Sequence, residues 1–124
     1  MSFSLHSDIE HHSVAAVYLK LFREWKVNGT LPDVFGNEGQ WEDSPSLCDS
    51  LVYKIHIKMP WEKPWKAKTP QLDRKSDSYL VYVRHWLNTD SYQIISVMSP
   101  LAHDMARTSF TSVLIERAES FHNS

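Results

Sequence analysis

The chain is poor in the residues from which many enzyme sites and extracellular scaffolds are built. Its 124 residues hold one cysteine, Cys48, and three glycines, Gly29, Gly36 and Gly39. A single cysteine excludes an internal disulfide, which fits a reducing cytoplasm. Three scattered glycines exclude a P-loop and a dinucleotide fingerprint, because both need glycines at fixed spacing to bring backbone against phosphate. A G-x-S-x-G nucleophile elbow is absent as well, and Cys48 stands near Asp43 and Asp49, a poor setting for a thiolate nucleophile. No apolar run approaches the roughly 20 residues that cross a bilayer. The start, "MSFSLHSDIEHH", lacks the basic and apolar regions of a secretion signal. These absences point to a cytoplasmic protein with no membrane partner.

Seven histidines invite a metal reading, but no H-x-x-x-H pair and no C-x-x-C occurs. His11 and His12 are adjacent, and neighbours on a helix point apart. No metal site and no cofactor is expected. What the chain does have is ordinary for a folded domain: 42% hydrophobic and 23% charged residues. The length suits one domain, residues 1–124.

The net charge of −2 conceals a strong division. Residues 1–50 carry eight acids against three bases, residues 54–75 carry seven bases against two acids, and residues 76–124 carry five acids against three bases. A basic block therefore sits inside an acidic frame. It can follow a polyanion, since attraction to phosphate depends on local potential; a lysine-rich exposed loop is the plainer explanation.

"SDIE" (residues 7–10) has the form of a capping box, with Ser7 as N-cap and Glu10 reaching back. Val14, Val17, Tyr18, Leu21, Phe22 and Trp25 then recur at helical spacing, and Asn28-Gly29 ends the helix. Residues 30–50 are turn-rich, with a short strand expected near Gln40–Glu42. "LVYKIHIKM" alternates: Leu51, Tyr53, Ile55, Ile57 and Met59 on one face, Val52, Lys54, His56 and Lys58 on the other. The segment from Pro60 to Ser78 is a proline-punctuated loop. "YLVYVRHWL" and "YQIISVM" read as an antiparallel hairpin of central strands around "NTDS". Ser99 and Pro100 offer an N-cap and N1 proline for a short helix. A last helix buries Phe110, Val113, Leu114, Ala118 and Phe121. The expected fold is α+β: a small antiparallel sheet with an N-terminal helix and C-terminal helices packed on it.

Cationic and proton-transfer groups collect at the rims of this sheet. Lys54, His56 and Lys58 share a strand face, Arg74, Ser76 and Asp77 precede a strand, and His103, Asp104 and Arg107 follow the hairpin. Metal-free RNA cleavage needs such groups. A base takes the 2′-hydroxyl proton, an acid protonates the leaving 5′-oxygen, and cations stabilise the phosphorane. Histidine suits the proton transfers. Each residue also has a plain structural reading, such as an Arg74–Asp77 pair.

Three motifs give the set direction: "LPDVFG" (31–36), "RKSD" (74–77) ahead of "LVY" (80–82), and "SPLAHDMAR" (99–107). Together, in this order, they make the chain resemble the YafO family of toxins from bacterial type II toxin–antitoxin systems, from about Tyr18 to Phe121. Lys75 departs from the threonine usual in the family's R-T-S-D motif. The resemblance implies a RelE-like fold and a ribosome-dependent mRNA endonuclease neutralised by a cognate antitoxin, with self-association left open. On this reading His103 is general acid or base and Arg107 binds phosphate. Arg74 stabilises the phosphorane, Asp77 orients a histidine or acts as base, and Ser76 donates a supporting hydrogen bond. His56, Lys54 and Lys58 line the RNA path, and the loop residues Trp61, Lys63, Trp65, Lys66, Lys68 and Lys75 contact RNA. Two rivals remain. One is a non-catalytic inhibitor that occupies a ribosomal or mRNA site through the basic loop, stacking bases on Trp61 and Trp65. The other is a free ribonuclease, disfavoured by the overall negative charge.

Overall fold

The computed structural model describes all residues from Met1 to Ser124. Five strands form one sheet: β1 (Ser2–Leu5), β2 (Phe35–Gln40), β3 (Val52–Ile57), β4 (Tyr79–Arg84) and β5 (Ser91–Met98), in the spatial order β1-β5-β4-β3-β2. β1 runs parallel to β5 and every other pair is antiparallel. The helices are α1 (His12–Asn28), α2 (Pro45–Asp49), α3 (Ala102–Met105) and α4 (Phe110–His122), with a 3₁₀ turn at Gln71–Asp73. This is the expected α+β architecture, except that the parallel edge strand β1 makes the sheet mixed rather than purely antiparallel. No helix is long and apolar enough to cross a membrane.

The sheet carries a core on each face. β4 divides its side chains cleanly, with Leu80 and Tyr82 in one core and Tyr79, Val81 and Val83 in the other. On the first face α1 contributes Ala15, Tyr18 and Phe22; on the second α4 contributes Leu114 and Ala118, and α2 contributes Leu47. A strand buried on both sides reads as continuous apolar sequence, which is why the hairpin was legible as central. The alternation expected for β3 also holds, since Ile55 and Ile57 enter the α1 core and Val52 the α4 core.

Four local expectations are corrected. Ser7 does not cap α1; the helix begins at His12, with His11 in the left-handed region as its N-cap. Within it Val17 is 56% exposed. Ser99 and Pro100 do not open α3, whose N-cap is Leu101. The strand expected at 40–42 lies earlier, at Phe35–Gln40. β1 was not expected at all. At its other end α1 stops as anticipated, with Gly29 at φ 76° donating its N–H to Trp25 O at 2.8 Å.

Glu10 is drawn away from capping by a stronger partner. Arg117 on α4 donates to both Glu10 oxygens, at 3.0 and 2.8 Å, and Ser96 Oγ donates to Glu10 Oε1 at 2.7 Å. The β4–β5 register shifts between Val81 and Tyr82, so two residues of β5 stand where one would pair. Arg117 Nη1 donates to Ile95 O in that irregular stretch at 2.7 Å. Burial alone would raise the Glu10 carboxyl, but the hydrogen bonds from Arg117 and Ser96 outweigh it and hold it below its ordinary range. Arg117→Met keeps the buried stem, removes the ion-pair partner of Glu10 and leaves Ile95 O without its Arg117 donor. Urea unfolding should show a loss of about 2 to 3 kcal/mol. Because Glu10 is depressed, the pair's contribution is present above the ordinary carboxylate pKa and fades as pH falls below it; the variant should lack that acid-side slope.

Candidate functional site

On the α4 side of the sheet, the helical cover ends before it reaches the C-terminal part of β3, where Lys54 and His56 lie. The uncovered strip is the floor of a cleft of about 730 Å³. Lys54 and His56 of β3 and Tyr79 of β4 lie in it. The segment Gln40–Ser44, leading into α2, makes one wall; His103 and Arg107 of the α3–α4 turn make the other, and Lys75 stands at an end. Strand β3 supplies Lys54 and His56 together because alternate residues share a face. His103 lies on the single turn of α3 and Arg107 just beyond it, with Arg107 N donating to Asp104 O at 3.1 Å. The two side chains reach the same cleft, although the turn is too short to be the helix expected from their spacing.

His56 is the best-defined proton-transfer group. Its Nδ1 lies 2.8 Å from Ser76 N and 2.9 Å from Ser76 O. The backbone of Ser76 can therefore serve either neutral tautomer, donating to a bare Nδ1 or accepting from a protonated one. The second arrangement leaves Nε2 free to take a proton. Burial pushes the imidazole below its ordinary pKa, and Lys54 and Lys75 add to this; the Ser76 backbone and Asp77 oppose it. His56 also meets the Tyr79 ring edge-on at 4.9 Å. Burial, with Asp77 adding, raises the Tyr79 hydroxyl above its ordinary value.

Asp77 acts on the opposite wall through backbone. Its Oδ1 accepts from His103 N at 2.8 Å, and its carbonyl accepts from Ala102 N at 3.0 Å. It thus fixes the start of α3, where no residue of its own supplies a side-chain cap. Ser76 Oγ donates to Ile57 O at 2.7 Å, so it ties the segment to β3.

Arg74 is not brought together with these groups. Its Nε donates to Thr69 O and its Nη1 to Phe35 O, both at 3.0 Å. The motif from Leu31 to Gly36 explains why. A Cβ on Gly36 would lie 2.4 Å from Arg74 O and 2.9 Å from the Trp65 ring; Asn37 N donates to Arg74 O at 2.9 Å. Arg74 clasps β2 to the loop. Trp65 belongs to the same joint, donating to Lys75 O at 3.0 Å, with Lys58 Nζ 5.2 Å from its ring centre. Neither Trp65 nor Lys58 lines the cleft. Lys63, Lys66 and Lys68 lie on an exposed loop outside it, and Trp61 is 67% exposed. No three metal-ligating side chains converge.

Sequence reasoning missed Trp41 and Tyr79, which line the cleft while belonging to the α4 core. Tyr79 opens an apolar strand run and Trp41 stands alone in a polar, turn-rich stretch, so neither carries a mark of a second role in its local sequence. Cys48 is likewise structural, donating from Sγ to Trp41 O at 3.0 Å.

The family model described as "Toxin YafO, type II toxin-antitoxin system" matches residues 23–123. The mRNA interferase toxin YafO of Escherichia coli (strain K12) is 29% identical over 90 residues, covering 69% of this chain and 67% of that protein. No solved structure matches.

Gly36→Ala tests the joint. The added methyl meets backbone and an indole ring, so strand and loop must separate, and a drop of about 2 kcal/mol in unfolding free energy is expected. Gly39→Ala, where a Cβ meets nothing within 4 Å, is the control and should change stability far less.

Proposed function

The chain belongs to the YafO family of toxins from type II toxin–antitoxin systems, and from that premise we propose that it is an mRNA endonuclease, a single toxin domain of RelE-like fold acting in the cytoplasm on ribosome-bound message and silenced by a cognate antitoxin. The observation that carries the chemistry is the convergence of two imidazoles and three cations, Lys54, Lys75 and Arg107, in one cleft. His56 Nε2 takes the 2′-hydroxyl proton while its Nδ1–H rests on Ser76 O. The 2′-oxygen attacks phosphorus and the P–O5′ bond breaks. The 5′-oxygen takes a proton from the His103 imidazolium, leaving a 2′,3′-cyclic phosphate and a 5′-hydroxyl. Arg107 holds the phosphate, and Asp77 positions His103 through the backbone. No step needs a metal or cofactor. Lys54 and Lys75 border the RNA path. Arg74 and Ser76 support the site from behind, and the exposed lysine loop with Trp61 suits docking to ribosomal RNA.

Primer extension on an mRNA, with and without translating ribosomes, tests this. New 5′ ends should appear only with ribosomes. His103→Ala and Arg107→Ala should each lower cutting by about 100-fold while co-sedimentation with ribosomes is kept. Arrested translation without new ends would establish the binding-only reading instead. Ends on naked RNA would establish a free ribonuclease.

The pH profile is a separate check. A base must be unprotonated, and the His56 pKa is lowered. The acid limb of the single-turnover rate should therefore lie below the ordinary histidine value.

A further inference from the structure

The cations of this protein differ sharply in how they are partnered. Arg117 is paired with Glu10 at 2.8 Å and Lys26 with Glu38 at 3.7 Å, the two ion pairs of the structure. Arg74 is held by two carbonyls. Lys54 is held by ring faces alone. Its Nζ lies 4.7 Å from the Trp41 ring centre and 5.2 Å from that of Tyr79. The two rings meet nearly at right angles, at 81° with centres 6.3 Å apart, so they form a corner with the ammonium over both. Ring quadrupoles attract a cation and fix its position without accepting its three N–H donors as a carboxylate would.

Trp41 shows the same preference from the other side. It is 4% exposed, and its Nε1–H is buried without an acceptor. An unpartnered buried donor is unfavourable, so the indole is not placed there for its hydrogen bond. Its face is what the site uses.

We propose that Lys54 is the catalytic cation of the cleft, donating to a non-bridging oxygen of the scissile phosphate as charge builds there, and that Trp41 and Tyr79 are positioning residues that hold its ammonium for that task. This assigns to Lys54 the role that the RKSD motif had suggested for Arg74, and it rests on the nuclease reading. The ammonium stands on the cleft floor in the strand that carries His56, so base and cation are set by one register. Rigid placement matters because a preorganised donor stabilises developing charge without moving during the reaction.

The experiment is single-turnover cleavage on preformed ribosome–mRNA complexes at saturating protein, with thermal melts and ribosome co-sedimentation for every variant. Lys54→Met, close in shape but uncharged, should lower the rate about 100-fold with binding within about twofold of wild type. Trp41→Leu should lower the saturated rate about 10-fold, and Trp41→Phe, which restores a ring face, should recover most of that loss although neither carries the indole N–H. A Lys54→Met protein that cuts at the wild-type rate overturns the proposal. So does one whose loss vanishes at saturation, because Lys54 then only docks RNA. Equal losses in Trp41→Leu and Trp41→Phe that follow the melting temperature make Trp41 a packing residue and overturn its positioning role. If the wild type itself yields no ribosome-dependent ends, the nuclease reading falls first; if it cuts and Lys54→Met cuts equally well, only this assignment falls.

Discussion

The whole arrangement hangs on the extended segment from Arg74 to Ser78. No regular element includes it, yet it joins everything that forms the site. Its first residue clasps β2 through Phe35 O. Ser76 bonds to Ile57 O and sets His56 through its backbone. Asp77 seats α3 through two backbone N–H groups. Ile57 N donates to Ser78 O at 2.9 Å as the segment runs into β4. Buried backbone polar groups must be paired, and here the pairs are distributed so that one strap holds the start of β2, the floor strand β3 and the α3 wall of the cleft. The three sequence motifs are therefore one structural joint seen at three places along the chain.

The cleft follows from how the two faces of the sheet are covered. On one face α1 lies across strands from β5 to β3 over a largely apolar core, edged by the Lys26–Glu38 ion pair. On the other, the short α2 and the thirteen residues of α4 leave the end of β3 open. Strand alternation then turns a basic, polar pair of side chains toward solvent at the one place where no helix would bury them. Burial of the ring still lowers the His56 pKa, while its neighbours Lys54 and Lys75 reinforce the shift. An uncovered strand end between two capped cores is a simple way to combine a rigid floor with access for a polymer substrate.

The sequence made the regular, locally specified parts legible. Helical spacing in α1, period two in β3 and the hairpin of β4 and β5 follow from short-range pattern, and Gly29 marks the helix end through its own conformational freedom. What escaped were features decided by distant partners. "SFSL" becomes β1 only because β5 lies beside it, roughly ninety residues later in the register Ser2↔Ser91. "SDIE" satisfies a local capping rule, but Arg117 and Ser96 offer Glu10 better hydrogen bonds than a helix end does. Gly36 and Gly39 disguised β2 as a turn, since a glycine in a strand usually weakens it; Gly36 is there because the Arg74 backbone approaches too closely for any side chain. For the site, His103 and Arg107 do line one cleft, but across a single turn rather than along the helix their spacing suggested, and no local rule distinguishes Arg74, held by carbonyls, from Lys54, held by rings.

That last contrast bears on how such sites should be read. A guanidinium in a motif is an attractive phosphate ligand because it presents several fixed donors, but those same donors let it serve as a clamp wherever carbonyls converge. A lysine over aromatic rings looks structurally idle in sequence, yet it keeps its charge and its donors for something that arrives later. On our proposal the partnering of a cation, rather than its residue type, separates scaffold from chemistry here. Arg74 and Arg117 brace the two ends of the fold through carbonyl and carboxylate oxygens. Lys54 is held without such a partner on the open floor beside His56, in the cleft that Arg107 also lines, and on our proposal the two meet the incoming phosphate together.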